Sequence, residues 1–180
     1  MLAKSFSFTE NQEDNNMNYL LSMQTKNNGL LHFDFVDKKV AKKMIEENHY
    51  SKSWYHMMGK INVGVFRDDV LLGVASYGSM KMPKSFRSLC EDIQQHEVVE
   101  LNRLWIDDVL KKNAESILIS KSIKLIKMYH PEIRLIQSFA DGRLGCGTIY
   151  QASNFGYYGC HETEFFENVE DGRCFHEMVF

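Results

Sequence analysis

The sequence predicts an α/β (α+β) domain with a mixed central β-sheet flanked by helices. Two apolar runs at 61–66 and 70–78 are joined by three polar residues, a spacing typical of a β-hairpin. A strongly apolar strand further on is followed by a long amphipathic helix and then by another apolar strand. Strands that alternate with helices in this way are typical of α/β and α+β architectures.

The N-terminal part predicts an extension followed by one helix. Residues 1–30 are polar and rich in asparagine, so we expect a partly irregular extension before a single domain over 31–180. Asp37 precedes apolar residues at helical spacing, which predicts a capped helix over 38–48. A loop rich in aromatic and polar side chains follows at 49–59.

The middle of the chain predicts the hairpin, a long loop and a strand. The apolar runs of the hairpin contain the β-branched residues that favour strands. Residues 79–96 lack periodicity and predict an irregular segment, whereas 97–108 predict a strong strand. The irregular segment carries three neighbouring basic residues, Lys81, Lys84 and Arg87.

The last third predicts one long helix and several short elements. Apolar residues recur with a period near 3.6 over 111–130, which predicts an amphipathic helix that Pro131 ends. The sequence then predicts a buried strand at 133–141, a short helix at 148–156 and a final strand at 175–180.

Composition excludes several classes of protein. With 44% hydrophobic residues, 180 residues are enough to bury a core, and the longest apolar runs fall well short of a membrane span. The N-terminus has no apolar signal region, so we expect a cytoplasmic protein whose four cysteines are free thiols. The net charge is −3, but residues 161–180 hold six acidic residues and one basic residue, which leaves +2 on the rest. A local basic face is therefore compatible with the sequence, whereas a wholly basic domain is not.

The N-terminus of the predicted long helix is a candidate anion site. Unpaired backbone N–H groups and the helix dipole attract phosphate at such an end, where Lys112, Asn113 and Ser116 lie. The alternative is a plain strand-to-helix connection with solvated lysines. The glycine-rich nucleotide-binding motifs are absent from the sequence.

A second candidate site follows the strand at 133–141. Asp141 ends that strand, a glycine-rich loop comes next, and Tyr150 lies on the short helix. An aspartate can take a proton from a nucleophile, and a tyrosine can protonate a leaving group. The alternatives are that Asp141 caps the loop and that Tyr150 only packs. Arg103, on an otherwise apolar strand, needs a partner such as Asp141, whether in a site or in a structural ion pair.

Several segments together resemble a known family. Strand, loop, helix and strand followed by IYQASNFGYYG look like the core of the GNAT acyltransferases, although VLKKNAES replaces their usual glycine-containing loop. A narrower resemblance, over about residues 45–180, is to the phage Mom family of DNA adenine-modifying proteins. It rests on the ordered set NHYSKS, VGVFRDDVLLGVASYG, ELNRLWIDD, KNAESILISKSIKLI, SFADGRLGCGTIYQASNFGYYG and DGRCFHEMVF.

The resemblance implies a function and a set of site residues. Family members attach a methylcarbamoyl-type group to N6 of adenine in phage DNA, which blocks host restriction. The resemblance implies DNA as substrate, a small-molecule acyl or carbamoyl donor such as acyl-CoA, and a metal ion such as iron, although the sequence contains no compact metal-binding motif. The matching positions are Arg103, Ser116, Asp141, Tyr150 and the pair His49-Tyr50.

Adenine in duplex DNA must be flipped out of the stack before its N6 can react. We expect the loop after the first helix to contact it, through Tyr50, Ser51, Lys52 and Trp54. The alternative is that the loop aromatics fold back on the domain. Two other functions stay open: an acyl-CoA-dependent N-acetyltransferase acting on a small amine or protein, and a catalytically inactive GNAT-like binding module.

Overall fold

The computed structural model describes residues 18–80, 85–88, 90–142, 145–160, 165–167, 169–172 and 174–176. The strands are β1 Leu21–Thr25, β2 Gly29–Phe35, β3 Ile61–Arg67, β4 Val70–Gly78, β5 Val98–Ile106, β6 Leu135–Gln137, β7 Phe165–Glu167 and β8 Cys174–His176. The α-helices are α1 Lys38–Asn48, α2 Ala114–Tyr129 and α3 Thr148–Gln151.

The strands β1 to β6 form one mixed sheet in sequential order. The first five are antiparallel to their neighbours, and β5 and β6 are parallel. Val74 packs with α1, whereas the next residue, Ala75, belongs to the core that α2 covers. Because successive strand residues point to opposite faces, the two helices cover opposite sides of the sheet. The predicted mixed α/β sheet is confirmed.

Helix α1 begins where the sequence predicts. The carboxylate of Asp37 accepts a hydrogen bond from the backbone N–H of Lys39 at 2.7 Å, which satisfies one of the unpaired donors at the helix start. Ala41 and Ile45 are fully buried against the sheet. The helix ends at His49, whose N–H still bonds to the carbonyl of Ile45.

Helix α2 supplies most of the large core. Its buried residues are Ala114, Leu118, Ile119, Ser122, Leu125 and Ile126. Each fully buried leucine or isoleucine contributes about 2–3 kcal/mol of hydrophobic free energy, so this face anchors the helix. The hydroxyl of Ser122 is hydrogen-bonded to that of Tyr77 inside this core, and complete burial raises the pKa of Tyr77.

A β-bulge in β5 changes which face its side chains occupy. Leu101 lies opposite Tyr77 and Arg103 lies opposite Ser76, so Asn102 is the extra residue. Before the bulge Leu101 packs in the α2 core, and after it Leu104 does so. Arg103 is therefore directed to the α1 face rather than into the apolar core.

The strands β5 and β6 pair over only a short distance. The pairing covers Val98–Glu100 against Leu135–Gln137, after which β5 continues to Ile106 and β6 ends. The hydroxyl of Ser138 then donates to the carbonyl of Leu101 at 3.1 Å. Beyond this point the edge of β5 is open to neighbouring loops.

Several predicted boundaries differ from the structure. The expected extension through residue 30 includes β1 and the start of β2, which form an antiparallel hairpin in the main sheet. The strand predicted at 133–141 is limited to Leu135–Gln137, and the helix predicted at 148–156 to Thr148–Gln151. β8 pairs with β7, which the sequence analysis did not predict, in a separate two-stranded sheet. Lys81 and Lys84 lie outside the described residues.

The residues of β2 and of the turn before it explain why the β1–β2 hairpin forms. Leu31 and Phe33 alternate with polar residues on β2, so one face is fully buried. Gly29 has a φ of +70°, which the turn requires and which glycine adopts without strain. Two asparagines of the segment that predicts irregularity, Asn27 and Asn28, lie in this turn, whereas residues 1–17 lie outside the described residues. Within the described part of the chain, no helix has the length and apolarity needed to cross a membrane.

The loop 49–59 approaches β4 closely at Gly78, so we expect a larger side chain at this position to be destabilising. A Cβ on Gly78 would lie 2.2 Å from the carbonyl oxygen of Met57 and 2.8 Å from Cα of Met58. We expect Gly78→Ala to lower the free energy of unfolding by about 2–3 kcal/mol because backbone atoms must move. Urea denaturation measures the effect. The control is Gly142→Ala, where nothing lies within 4 Å of the added Cβ. Equal stability of the two variants would contradict the packing of this loop on β4.

Candidate active site

The loop 49–59 is fixed to the sheet by backbone hydrogen bonds. The N–H of Lys60 donates to the carbonyl of Tyr77 at 2.8 Å, and the N–H of Ser79 donates to that of Met57 at 3.0 Å. Gly59 has a φ of +71°, and the ring of Trp54 packs where a side chain at residue 59 would lie. The loop therefore forms a wall over the α1 face of β4 and β5.

Arg103 donates hydrogen bonds from three nitrogens, and two of them bind this loop. Its Nε donates to the backbone carbonyl of Ser53 at 3.2 Å, and Nη2 donates to the hydroxyl of Ser53 at 2.7 Å. Nη1 donates to the carbonyl of Asn102 at 2.7 Å, and the guanidinium carbon lies 5.9 Å from the ring centroid of Tyr55. Burial lowers the pKa of Arg103, but the group stays charged.

His49 lies at the end of α1, beside this arginine. Its side chain is buried, its Nδ1 lies 2.8 Å from the hydroxyl of Ser51, and the N–H of Ser51 donates to the same nitrogen at 3.1 Å. The ring of Tyr50 packs on the imidazole with centroids 4.2 Å apart. Burial, and then the positive charge of Arg103, lower the pKa of His49 to about 4. The imidazole is therefore neutral near pH 7.

Glu100 is a buried carboxylate in β5, where that strand separates from β6. It is 6% exposed and accepts hydrogen bonds from Asn102 Nδ2 at 2.9 Å and from Gln137 Nε2 at 3.3 Å. Its charge acts on both Arg103 and Tyr150. The sequence analysis did not select Glu100. The available signal was a second charged residue, three positions from Arg103, on a strand that is otherwise apolar.

Tyr150 lies on α3, where it is partly buried against the large core. Burial raises the pKa of its phenol, a hydrogen bond with Ser138 lowers it, and electrostatic interactions with Tyr50 and Glu100 raise it further. Phe155 packs against its ring edge-on. Tyr50 thus lies within electrostatic range of both Arg103 and Tyr150.

Asp141 lies in the connection between β6 and α3 and is partly buried. The guanidinium hydrogen bonds described for Arg103 go to Ser53 and Asn102, and the carboxylate whose charge acts on Arg103 is Glu100. The pairing of Arg103 with Asp141 stays a prediction.

The four loop residues expected to contact DNA have different environments. Tyr50 is 70% exposed and Lys52 is exposed with a φ of +45°. Ser51 is bonded to His49. Trp54 packs against the cluster of Ala41, Ile45 and Val74, which is the folded-back alternative. Tyr50 and Lys52 are thus accessible to a ligand, whereas the ring of Trp54 is engaged in packing.

The predicted anion site at the start of α2 forms a cleft of about 200 Å³ beside the β1–β2 turn. Lys26, Lys112 and Asn113 are among its lining residues. Asn113 has a φ of +73°, a backbone conformation in which glycine is common, and the hydroxyl of Ser116 donates to its carbonyl at 3.1 Å. Two lysines and a helix N-terminus suit a phosphate group.

The expected metal ion has no matching donor set in the described residues. Among them, no three histidine, cysteine, aspartate or glutamate side chains are grouped closely enough to hold one. The described side chains around Arg103 and Glu100 supply hydroxyls, amides, the imidazole of His49 and the carboxylate of Glu100, and they form no group of three ligands of the kind an iron site uses.

A sequence comparison identifies the family of this chain. The profile of the Mom protein family matches residues 30–180, which include Arg103, Asp141 and Tyr150. The chain belongs to the Mom protein family. A curated relative, the methylcarbamoylase Mom of Escherichia phage Mu, is 37% identical over 141 residues. That alignment covers 78% of this chain and 57% of the relative, so the chain spans little more than half of its length.

Two solved acetyltransferase structures are similar to this Mom family member at low sequence identity. An aminoglycoside acetyltransferase from an uncultured soil metagenomic sample, solved with sisomicin, aligns with 9% identity and a TM-score of 0.49, covering 78% of this chain and 97% of its own. A ribosomal-protein-alanine N-acetyltransferase from Brucella melitensis biovar Abortus aligns with 10% identity and a TM-score of 0.48, covering 75% and 99%.

The lowered pKa of His49 predicts a pH-dependent stability. Between pH 4 and pH 6.5 the unfolded chain binds a proton at this residue and the folded chain does not, so stability rises with pH. Relative to His49→Gln, wild type should gain roughly 2–3 kcal/mol of unfolding free energy from pH 4 to pH 7. Urea denaturation at several pH values tests this, with His56→Gln at an exposed position as control. A pH-independent difference between wild type and His49→Gln would refute it.

Proposed function

We propose that this chain is a transferase that adds a methylcarbamoyl-type group to N6 of adenine in phage DNA and so protects that DNA from host restriction. The observation that carries the proposal is the 37% identity to the methylcarbamoylase Mom of phage Mu, within the Mom protein family. Because the chain spans 57% of that relative, its activity and substrate are inferred rather than carried over.

The chemistry of the amine explains what the site must do. The lone pair of adenine N6 is delocalised into the ring, so the amine must be held firmly and must lose a proton as the new bond forms. Asp141 and His49 are the candidate bases, and the Tyr150 phenol can protonate a leaving group. Arg103 is a fixed positive charge that can stabilise negative charge on the transferred group.

The 49–59 loop supports contact with a flipped base. Tyr50 is exposed and its ring already packs on His49, so a second aromatic ring can stack on its outer face. Lys52 is exposed on the same turn and can bind a phosphate. With a net charge of −3, binding to DNA must rely on such local contacts rather than on the whole domain.

The cleft at the start of α2 supports a phosphate-bearing donor such as acyl-CoA. Lys112, Asn113 and the N–H groups near Ser116 would hold its phosphates. When bound, acyl-CoA supplies an activated thioester carbonyl. The cleft shares no residue with the surroundings of Arg103, so phosphate binding and chemistry are tasks of different parts of the chain.

The proposal predicts loss of a modified nucleoside in a single-atom variant. Tyr150→Phe removes the buried phenolic hydroxyl and should lower the adenosine derivative by roughly 10²-fold or more, because general acid catalysis is lost. Nucleoside mass spectrometry on DNA from cells that express each variant measures the derivative, and its mass identifies the added group. Asp141→Ala should have a similar effect.

The matched control is Tyr158→Phe, the same change at a residue 76% exposed, which should leave the derivative at the wild-type level. An unchanged nucleoside profile in cells with soluble, folded wild-type protein would exclude DNA modification by this chain under those conditions. Wild-type levels in Tyr150→Phe would exclude the acid role.

Binding of coenzyme A separates the alternatives. We expect the affinity measured by calorimetry to fall about tenfold in Lys112→Glu, because a positive charge near the phosphates is reversed. Lys124→Glu, the same change on the exposed middle of α2, is the control. Binding of coenzyme A without any modified nucleoside would favour the N-acetyltransferase. Absence of both coenzyme A binding and the modified nucleoside would favour the inactive binding module.

A further inference from the structure

Two serine hydroxyls connect Arg103 to His49 in a continuous chain of hydrogen bonds, so that the chain contains four side chains. Arg103 Nη2 donates to the hydroxyl of Ser53 at 2.7 Å, and that hydroxyl donates to the hydroxyl of Ser51 at 3.2 Å. The hydroxyl of Ser51 lies 2.8 Å from His49 Nδ1. We call these four side chains the serine relay.

The guanidinium sets the direction of the first link in the serine relay. Arginine has five N–H donors and no acceptor, so Ser53 accepts from Arg103, and the hydroxyl of Ser53 donates to that of Ser51. The hydroxyl of Ser51, which accepts from Ser53, has its own proton left to donate to Nδ1 of His49.

A second donor reaches the same nitrogen from the backbone. The N–H of Ser51, which can only donate, lies 3.1 Å from His49 Nδ1. A neutral imidazole has one protonated nitrogen, so a proton acceptor at Nδ1 places the hydrogen on Nε2. Among the described residues, the hydrogen bonds of this ring are all made at Nδ1. The Nε2–H thus remains available as a donor.

The backbone between the two serines is held in an unusual conformation. Lys52 has a φ of +45°, which is rare for residues other than glycine, asparagine and aspartate. Its N–H donates to the carbonyl of His49 at 2.9 Å, which closes a tight turn. This turn brings the hydroxyls of Ser51 and Ser53 within hydrogen-bond distance of each other. Strain of this kind persists where the surrounding contacts require it.

We propose that Ser51 and Ser53 are positioning residues that hold His49 as a hydrogen-bond donor through Nε2–H, and that His49 is not the base that removes the N6 proton. The tautomer is a property of the folded chain, whereas its use in group transfer rests on the proposed function. The charged and titratable neighbours of the ring are Arg103 and Tyr50. Removal of the N6 proton then falls to Asp141.

The first test observes the tautomer directly. Two-bond ¹H–¹⁵N correlation spectra of the full chain, labelled at its seven histidines, separate Nδ1–H from Nε2–H rings, and His49→Gln assigns the signals. We expect wild type to show Nδ1 unprotonated and Nε2 protonated from pH 5 to pH 8. The tautomer is observed in the wild-type chain, so neither Ser51 nor Ser53 has to be replaced. An Nδ1–H ring, or an averaged pattern, would overturn the proposal.

The second test breaks the serine relay at one hydroxyl. Ser53→Ala leaves Arg103 held by two backbone carbonyls, so the arginine stays in place while the hydroxyl of Ser51 is free to rotate. We expect the His49 ring to show a partly averaged tautomer pattern, because the hydroxyl of Ser51 is then no longer oriented and the backbone N–H of Ser51 alone still holds Nδ1 as an acceptor. Ser53→Thr, which keeps the hydroxyl, should restore the wild-type pattern. Unchanged His49 signals in Ser53→Ala would refute the role of Ser53.

Ser22→Ala is the matched control, because Ser22 is bonded to His32 Nδ1 at 2.7 Å on the exposed β1–β2 hairpin. It should leave the His49 signals unchanged. A change of the same kind in Ser22→Ala would show that the effect is not specific to the serine relay.

The role of His49 in group transfer is tested separately, by the amount of modified nucleoside in DNA. A glutamine side chain retains an N–H donor and an alanine does not, so His49→Gln should keep more of the modified nucleoside than His49→Ala. Equal loss in both variants would argue against a donor role. A wild-type tautomer as expected, with no modified nucleoside in any sample, would reject the proposed function and leave the tautomer assignment standing. A modified nucleoside together with an Nδ1–H ring would support the proposed function and reject the tautomer assignment.

Discussion

The partly buried guanidinium of Arg103 is the constraint on which the site depends. A charged group removed from water must have its N–H donors satisfied, and its acceptors here are the Ser53 carbonyl, the Ser53 hydroxyl and the Asn102 carbonyl. Two of these acceptors belong to the 49–59 loop. The loop must therefore lie on the sheet, and it is held there by backbone bonds to β4 and its end. The same contacts orient Ser51 and His49.

The second part of the site lies where β5 and β6 stop pairing. After three paired residues the edge of β5 is available, and Glu100 lies at that point, held by the amides of Asn102 and Gln137. Its charge acts on Arg103 on one side and on Tyr150 on the other. Active sites commonly place charged and titratable groups close together so that the pKa values of neighbouring groups differ. Glu100 has such neighbours in the fixed cation of Arg103 and in the phenol of Tyr150, whose pKa is raised.

Much of the fold follows from local patterns. The capping aspartate of α1, the β3–β4 hairpin and the apolar face of α2 all depend on residues close together in sequence, so their prediction is confirmed. The β1–β2 hairpin was missed because its turn is a polar, asparagine-rich segment, although Leu31 and Phe33 alternate as a strand requires. The site residues Glu100 and Ser53 were missed because their importance comes from partners on other elements, which spacing in the sequence does not show.

The sequence by itself determined the order of most elements, because that order depends on local periodicity. It also indicated the family, through the resemblance of several ordered segments, and that resemblance together with residue type marked Arg103, Asp141, Tyr150 and His49 as candidates. The tertiary structure decided how they meet. A one-residue bulge at Asn102 moves Arg103 to the α1 face, since side chains alternate along a strand and one extra residue reverses that alternation. The contacts of His49 were likewise decided in three dimensions, because Arg103, Ser53 and Ser51 come within hydrogen-bond distance of one another only in the folded chain.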